Sequence, residues 1–287
     1  MLSKLVNAFI KSTKSPELMN KPEQTITVAI GDKTYSIVSD DDYLNHIRNG
    51  FEPDTVALFN SLLRASDWVF DVGANIGCTS ILFGERCRKV YSFEPSPTTF
   101  KFLQRNLSSA DLNNVIPMNM GLGSCAGESE LTFSPTNRSG GFVSDKTQAS
   151  LGHSIEKIKI ERADDLAKSL DLPALDFMKI DVEGFEKSVI EGAQELIGAH
   201  KPVVVLELNH WCLNAFQRIT IPDFLDFLRA RFPILLAVEG NTYRDLHNPN
   251  DSYHVMYHHI ISFKYMNLVG AFSEERLAEF HKHFVHG

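Results

Sequence analysis

The stretch WVFDVGANIG at residues 68–77 constrains the fold more than any other. Trp68, Val69, Phe70 and Val72, set around Asp71, predict a short buried strand, Gly73 and Gly77 bracket a tight turn, and the apolar run Ile81, Leu82, Phe83 begins a helix. A strand that ends in a glycine-rich turn and opens a helix is the first unit of a doubly wound α/β sheet. In such sheets the ligand lies beyond the carboxyl end of the strand.

The rest of the chain supplies further units of the same kind. KVYSFE (89–94) is a second strand ending in Glu94, followed by Ser96-Pro97, an N-cap with proline at the first helical position. VIPMNMGLG (115–123), DFMKIDVEG (176–184), PVVVLELNH (202–210), FPILLAVEG (232–240) and HHIISFKY (258–265) bring the predicted strands to seven, in a mostly parallel sheet. Helices are expected at 186–197, after the capping box that opens at Thr220, and at 273–284. Strands alternating with helices over this length imply one α/β domain, 51–287. Residues 1–50 read as an accessory segment: TITVAIGDKTYSIVS (25–39) has the pattern of a hairpin turning at Gly31-Asp32. Residues 124–154 are polar and glycine/serine-rich apart from GESELTF, and are expected to form a long loop near the site, in the manner of a lid.

Composition narrows the partners. A formal net charge of −8 without any basic, aromatic-interleaved run argues against nucleic-acid binding. Cys78, Cys87, Cys125 and Cys212 form no CxxC pair, so they are expected to be free thiols in a reducing, cytoplasmic setting. The longest apolar runs are strand-length, far short of a membrane span. Leu2, Leu5, Val6, Phe9 and Ile10 recur at helical spacing, and a helix docked on its own domain or on a partner subunit is preferred to one touching a membrane surface. An oligomer is left open.

The ligand follows from the turn. A dinucleotide site needs G-x-G-x-x-G, and placing that template on Gly73 puts Asn75 and Cys78 where glycines are required. What remains is a ligand that wants a tight turn, a nearby acid and no phosphate cradle. S-adenosylmethionine fits, because its ribose hydroxyls suit a carboxylate such as Glu94 and its cationic sulfonium suits an electronegative, partly apolar pocket. DVGANIG with FEPSP, and above all FMKIDVEGFEKSVIEGA, resembles the FkbM family of class I S-adenosylmethionine-dependent methyltransferases over about residues 65–265. The resemblance implies a Rossmann-like fold. It also implies that Asp71 and Gly73 contact the methionine end of the cofactor, that Asn75 and Gly77 shape the turn, and that Glu94 holds the ribose. Pro95 and Ser96 would lie beside the adenine, Gly121 or Leu122 would border it, and Asp181 would sit near the transferable methyl.

The acceptor implied is a hydroxyl of a sugar, glycan precursor or secondary metabolite. In-line methyl transfer to it gains from a general base, for which Asp181, Glu183 and His210 are candidates. Asp181 and Glu183 alternate along one strand and are expected to point the same way. Glu186 reads as a charge favourable to a helix N-terminus. A divalent cation on Asp181, Glu207 and Asn209 is the less favoured route, and none of the histidines has a metal-binding spacing. Two other readings stand beside the enzyme: a non-catalytic binding module on the same fold, and a nicotinamide-dependent oxidoreductase, against which Asn75 and Cys78 count.

Overall fold

The structure is a computed structural model, described here over residues 22–147 and 152–287. The amphipathic spacing at residues 2–10 lies outside the described residues.

Strands β1 (Gln24–Ile30) and β2 (Lys33–Ser39) form the expected hairpin. Its apolar residues Val28, Ile30 and Ile37 are buried in the same cluster as Val69, Ile81 and Leu103. Asn106 fastens the hairpin to the glycine turn, pairing with both the N–H and the carbonyl of Val38 while donating to the carbonyl of Ile76.

The next three strands run from the centre of the main sheet to one edge: β3 (Trp68–Val72), β4 (Lys89–Phe93) and β5 (Val115–Met118), all parallel. The helix Cys78–Arg86 follows β3, and Pro97–Ser109 follows β4 under the Ser96 cap, whose Oγ accepts from Thr99 N. The residues predicted as one third strand then divide. After β5 the chain leaves the main sheet, and Gly121–Leu122 becomes β6 of a second, four-stranded sheet with β7 (Gly127–Ser134), β8 (Asn137–Val143) and β9 (Ser154–Glu161). The loop expected over 124–154 is therefore largely sheet. Leu131, Phe133, Ile158 and Ile160 give it a small core of its own.

The chain returns to the main sheet on the other side of β3. There β10 (Phe177–Ile180) pairs parallel with β3 and with β11 (Val203–Glu207). Beyond β11 lie β12 (Ile234–Glu239), β13 (Thr242–Asp245), β14 (Asn267–Ala271) and β15 (Val285–His286). The main sheet thus has nine strands rather than seven, in the order β15-β13-β12-β14-β11-β10-β3-β4-β5, with β14 antiparallel to both neighbours. HHIISFKY is not a strand. Asn248 caps a helix Pro249–Ser262 that runs through it, Phe263 ends the helix in the left-handed region, and NLVGA supplies β14 instead. The predicted final helix is shorter, a 3-10 turn Glu274–Leu277 and a helix Phe280–His283.

Two apolar clusters, one on each face, bury β3, β4, β10 and β11. Strand order reverses between β3 and β10, which opens a crevice at their carboxyl ends. Among the described residues no helix is long and apolar enough to cross a membrane.

Candidate active site

A cavity of about 450 Å³ occupies that crevice. Its floor is the end of β3 and the turn after it. Gly73 has φ +81°, and a Cβ there would stand 1.9 Å from the carbonyl oxygen of Asp181, so the ends of β3 and β10 touch backbone to backbone. The amides of Gly73 and Ala74 both donate to the carbonyl of Phe93 at 3.0 and 2.9 Å, tying the turn to β4 as well. Asn75 (φ +51°) and Gly77 (φ +100°) complete the bend in left-handed conformations. Gly73 and Asn75 line the cavity; Gly77 lies behind it, packed against Leu103.

Glu94 stands just past β4, 7% exposed, and its two oxygens are held apart: Oε2 accepts from Asn75 N and Oε1 from Ser96 N, each at 2.9 Å. One lone pair on each oxygen remains for a ligand. Burial pushes its carboxyl up to about 7, although the two amides and Lys179 pull it down. Pro95, Gly121, Leu122 and Ile160 form an apolar wall beside it. Ser96 does not line the cavity; besides capping its helix, its hydroxyl donates to Glu156 at 2.5 Å.

Asp71 is fully buried and does not line the cavity either. Its Oδ2 accepts from Thr79 Oγ1 (2.8 Å) and Ser80 Oγ (2.6 Å), and its Oδ1 faces Lys179 Nζ at 3.5 Å. Lys179, a residue not singled out from the sequence, lies opposite Asp71 in the β3–β10 register. Its ammonium donates to the carbonyl of Gly73 at 2.7 Å and sits 3.4 Å from Asp181 Oδ2. Burial works against that charge, but Asp181 and Asp71 outweigh it and hold the lysine above its ordinary pKa.

Asp181 and Glu183 both line the cavity, but not by strand alternation. Strand β10 ends at Ile180, Glu183 adopts φ +52° in the turn that follows, and its Oε2 meets Cys212 Sγ at 3.1 Å. Burial, reinforced by Asp181, pushes Glu183 up to about 7. Glu207, at the end of β11, rises well above the ordinary glutamate value through burial and then through Asp181, Glu183 and Glu186; its Oε2 is buried and has no hydrogen-bond partner. His210 stands apart from the cavity, its ring packed against His259 and Phe263, and Asn209 caps its own short helix by accepting from Cys212 N. Of the trio Asp181, Glu207 and Asn209, the first two line the cavity and Asn209 does not. Among the described residues no group of three His, Cys, Asp or Glu is placed to hold a metal ion.

The segment before β3 contributes a wall that the sequence did not reveal. Tyr43, Phe51, Glu52, Thr55 and Phe59 line the cavity, and Glu52 does so from a left-handed backbone (φ 30°) before Pro53. Such a conformation is unfavourable for a residue that precedes proline. Arg138 and Ser139 of β8 also line the cavity, and Arg138 is paired with Asp40 and Asp41, just ahead of that wall.

Glu186, fully buried, is more than a helix-end charge. Its Oε1 accepts from the amides of Val182 (3.1 Å) and Gly184 (3.2 Å), fixing the turn that carries Glu183. Burial pushes its carboxyl from 4.5 up to about 8. Between those values the folded state keeps a proton that the unfolded chain has released, so stability falls as pH rises through this window. Glu186→Gln keeps the accepting oxygen and removes the titration. Its melting temperature relative to the parent is expected to rise from pH 4.5 to pH 8, by a stability difference of about 4–5 kcal/mol at most. A difference that stays flat across that range would refute the assignment.

Comparison with known proteins agrees with the turn motifs. The Methyltransferase FkbM domain model matches residues 71–243. The hexuronic acid methyltransferase AglP of Haloferax volcanii is 31% identical over 154 residues, 54% of this chain and 61% of that protein. Methyltransferase sdnD of Sordaria araneosa is 28% identical, covering 46% of this chain and 62% of the relative. The match thus spans about three fifths of the length of these curated relatives. A crystal structure of a methyltransferase FkbM from Methylobacillus flagellatus aligns at a TM-score of 0.46 and 19% identity, over 72% of this chain and 44% of that one. With the domain model matched over more than half of its residues, the chain belongs to the FkbM methyltransferase family.

Proposed function

We propose that this chain transfers a methyl group from S-adenosylmethionine to a hydroxyl oxygen of a sugar, glycan precursor or secondary metabolite. The observation that carries the reading is Glu94, pinned by the Asn75 and Ser96 amides beside the glycine turn with a lone pair left on each oxygen. That arrangement fits two neighbouring ribose hydroxyls. Pro95, Gly121, Leu122 and Ile160 fit the adenine, and the carboxylates farther along the crevice fit a sulfonium and an ammonium. Bound there, the cofactor supplies an electrophilic methyl for in-line displacement.

The chain's own part is to align the acceptor and to take its proton. Glu183, held near 7 by burial, is suited to accept that proton at neutral pH, with Asp181 beside it as the alternative. His210 has no such position. The AglP relative, by its name a hexuronic acid methyltransferase, supports a sugar acceptor.

Titration calorimetry with S-adenosylmethionine tests the cofactor, and absence of heat would favour a binding module of another kind. Glu94→Gln is expected to weaken binding about 10- to 100-fold, the weight of charged hydrogen bonds lost to the sugar. Glu183→Gln is expected to leave cofactor affinity intact and to lower kcat about 10²- to 10⁴-fold. Full turnover in that variant would transfer the base role to Asp181, to be checked with Asp181→Asn.

A further inference from the structure

Among the described residues eight large apolar side chains are exposed, and six of them gather on the helix Pro249–Ser262 and in the turns at its end. Ser252, Val255 and His259 are buried on the inner side of that helix. Its outer side carries Tyr253, Tyr257, Ile260 and Ile261, a second apolar stripe at i, i+4, i+7 and i+8 that is 52–68% exposed. A helix apolar on both faces is normally covered on both. Exposed Phe263 continues the stripe, and its ring packs 4.5 Å from that of His210, the neighbour of exposed Trp211. A contiguous patch of this kind marks an interaction surface.

The segments that form the patch carry no carboxylate. Neither 208–222 nor 252–273 contains an Asp or a Glu, while both contain a base, Arg218 and Lys264, in a chain whose 36 acids outnumber its 28 bases. Glu239, which meets this region from β12, accepts from Tyr265 N at 2.8 Å. The patch also has a fixed place relative to the crevice. Because β14 runs antiparallel to β11, Asn267 pairs with Glu207 at the crevice end of the sheet, and Met266 and Asn267 both line the cavity. The helix therefore ends beside the crevice.

We propose that this face docks on the surface of an anionic lipid bilayer. The inference does not depend on the methyl-transfer reading. Tyrosine and tryptophan favour the boundary between headgroups and hydrocarbon, where one end of the side chain is apolar and the other wet. Ile260, Ile261 and Phe263 supply the apolar area that such a helix buries at the acyl boundary, and Arg218 and Lys264 suit anionic headgroups. A second copy of the chain would bring the same sign of charge to the contact, and six side chains fall well short of the roughly 20–30 residues a side of a stable interface. Residues 1–21 would bring the same sign too, with Lys4, Lys11, Lys14 and Lys21 against Glu17 alone. A bilayer held on this face stands beside the Glu207 end of the crevice.

The test is cosedimentation of the whole protein with vesicles of phosphatidylcholine, alone or mixed with phosphatidylglycerol. Partition onto the mixed vesicles is expected to exceed that onto phosphatidylcholine about tenfold, and to weaken as added salt screens the headgroups. Ile261→Glu is expected to lower that partition about tenfold or more with the melting temperature unchanged, since the side chain stands in solvent. A second measurement needs no disruptive variant. The chain has two tryptophans, so Trp68→Phe leaves Trp211 as the reporter, and its emission should move to shorter wavelength on the mixed vesicles. Absence of cosedimentation, equal partition onto both vesicle types, partition unmoved by Ile261→Glu, or Trp211 emission unmoved by lipid would each overturn the proposal. So would Trp211 emission already at short wavelength without lipid, which would mean that residues 1–21 or another copy cover the face. A dimer in sedimentation velocity that Ile261→Glu disperses would assign the face to a second copy instead.

Discussion

Replacing Lys179 with methionine is expected to lower the unfolding free energy by about 3–5 kcal/mol, the range found when one partner of a buried ion pair is removed. The reason lies with Asp71 more than with the lysine. Asp71 is fully buried, and Thr79 and Ser80 satisfy Oδ2. Its Oδ1 has no hydrogen-bond partner and faces only the ammonium 3.5 Å away. Methionine fills much of the same space but leaves that carboxylate charged and uncompensated. Asp181, with its side chain 48% exposed, can turn to water and suffers less. Asp71→Asn in the Lys179→Met background should therefore recover most of the loss, since it removes the stranded charge. Urea unfolding of the parent, both single variants and the double variant gives the coupling energy. A Lys179→Met protein within about 1 kcal/mol of the parent, or strictly additive losses, would show that the pair is not coupled as described.

Local chemistry made part of this molecule readable. The strand, glycine turn and helix at 68–86, and the Ser96-Pro97 cap, are set by residues adjacent in sequence, and they form as the sequence predicts. Features that depend on distant partners were not visible. Lys179 stands in the middle of a quoted motif, yet its meaning comes from Asp71, which only the β3–β10 register places beside it. The four-stranded sheet escaped because β6 pairs with β9, far along the chain, while Gly140 and Gly141 lower the apparent strand content of β8. HHIISFKY misled because its β-branched and aromatic residues suit a strand as well as a helix, and the Asn248 cap that decides the matter lies ten residues upstream. The expectation that Asp181 and Glu183 share a face assumed a strand that in fact stops at Ile180. The wall around Glu52 had no signal beyond a glutamate before proline.

Gly73→Ala should be the most damaging single methyl that can be added to the site. The new Cβ would lie 1.9 Å from the Asp181 carbonyl oxygen, a backbone atom that no rotamer change can move aside. The φ of +81° adds a penalty of about 1–2 kcal/mol for an L residue. Relief requires β3 and β10 to separate where Asp181 N donates to Val72 O at 3.1 Å, and this same separation withdraws the Gly73 carbonyl from Lys179. Loss of about 3 kcal/mol or more of stability is expected, together with loss of measurable S-adenosylmethionine binding even in the fraction that remains folded. Two other glycines calibrate the effect. At Gly77 the added carbon meets Leu103 Cδ1 at 2.8 Å, the tip of a side chain that can yield, so Gly77→Ala should cost less in spite of its φ of +100°. At Gly198, within the helix Gln194–His200, nothing lies within 4 Å, and alanine should stabilise by about 0.5–1 kcal/mol. Melting temperatures should therefore rank Gly198→Ala above the parent, Gly77→Ala below it and Gly73→Ala lowest, while the calorimetric affinity of Gly198→Ala should equal the parent's and that of Gly73→Ala should be the weakest. If Gly73→Ala binds the cofactor like the parent, the close approach of β3 and β10 does not shape the floor of the site.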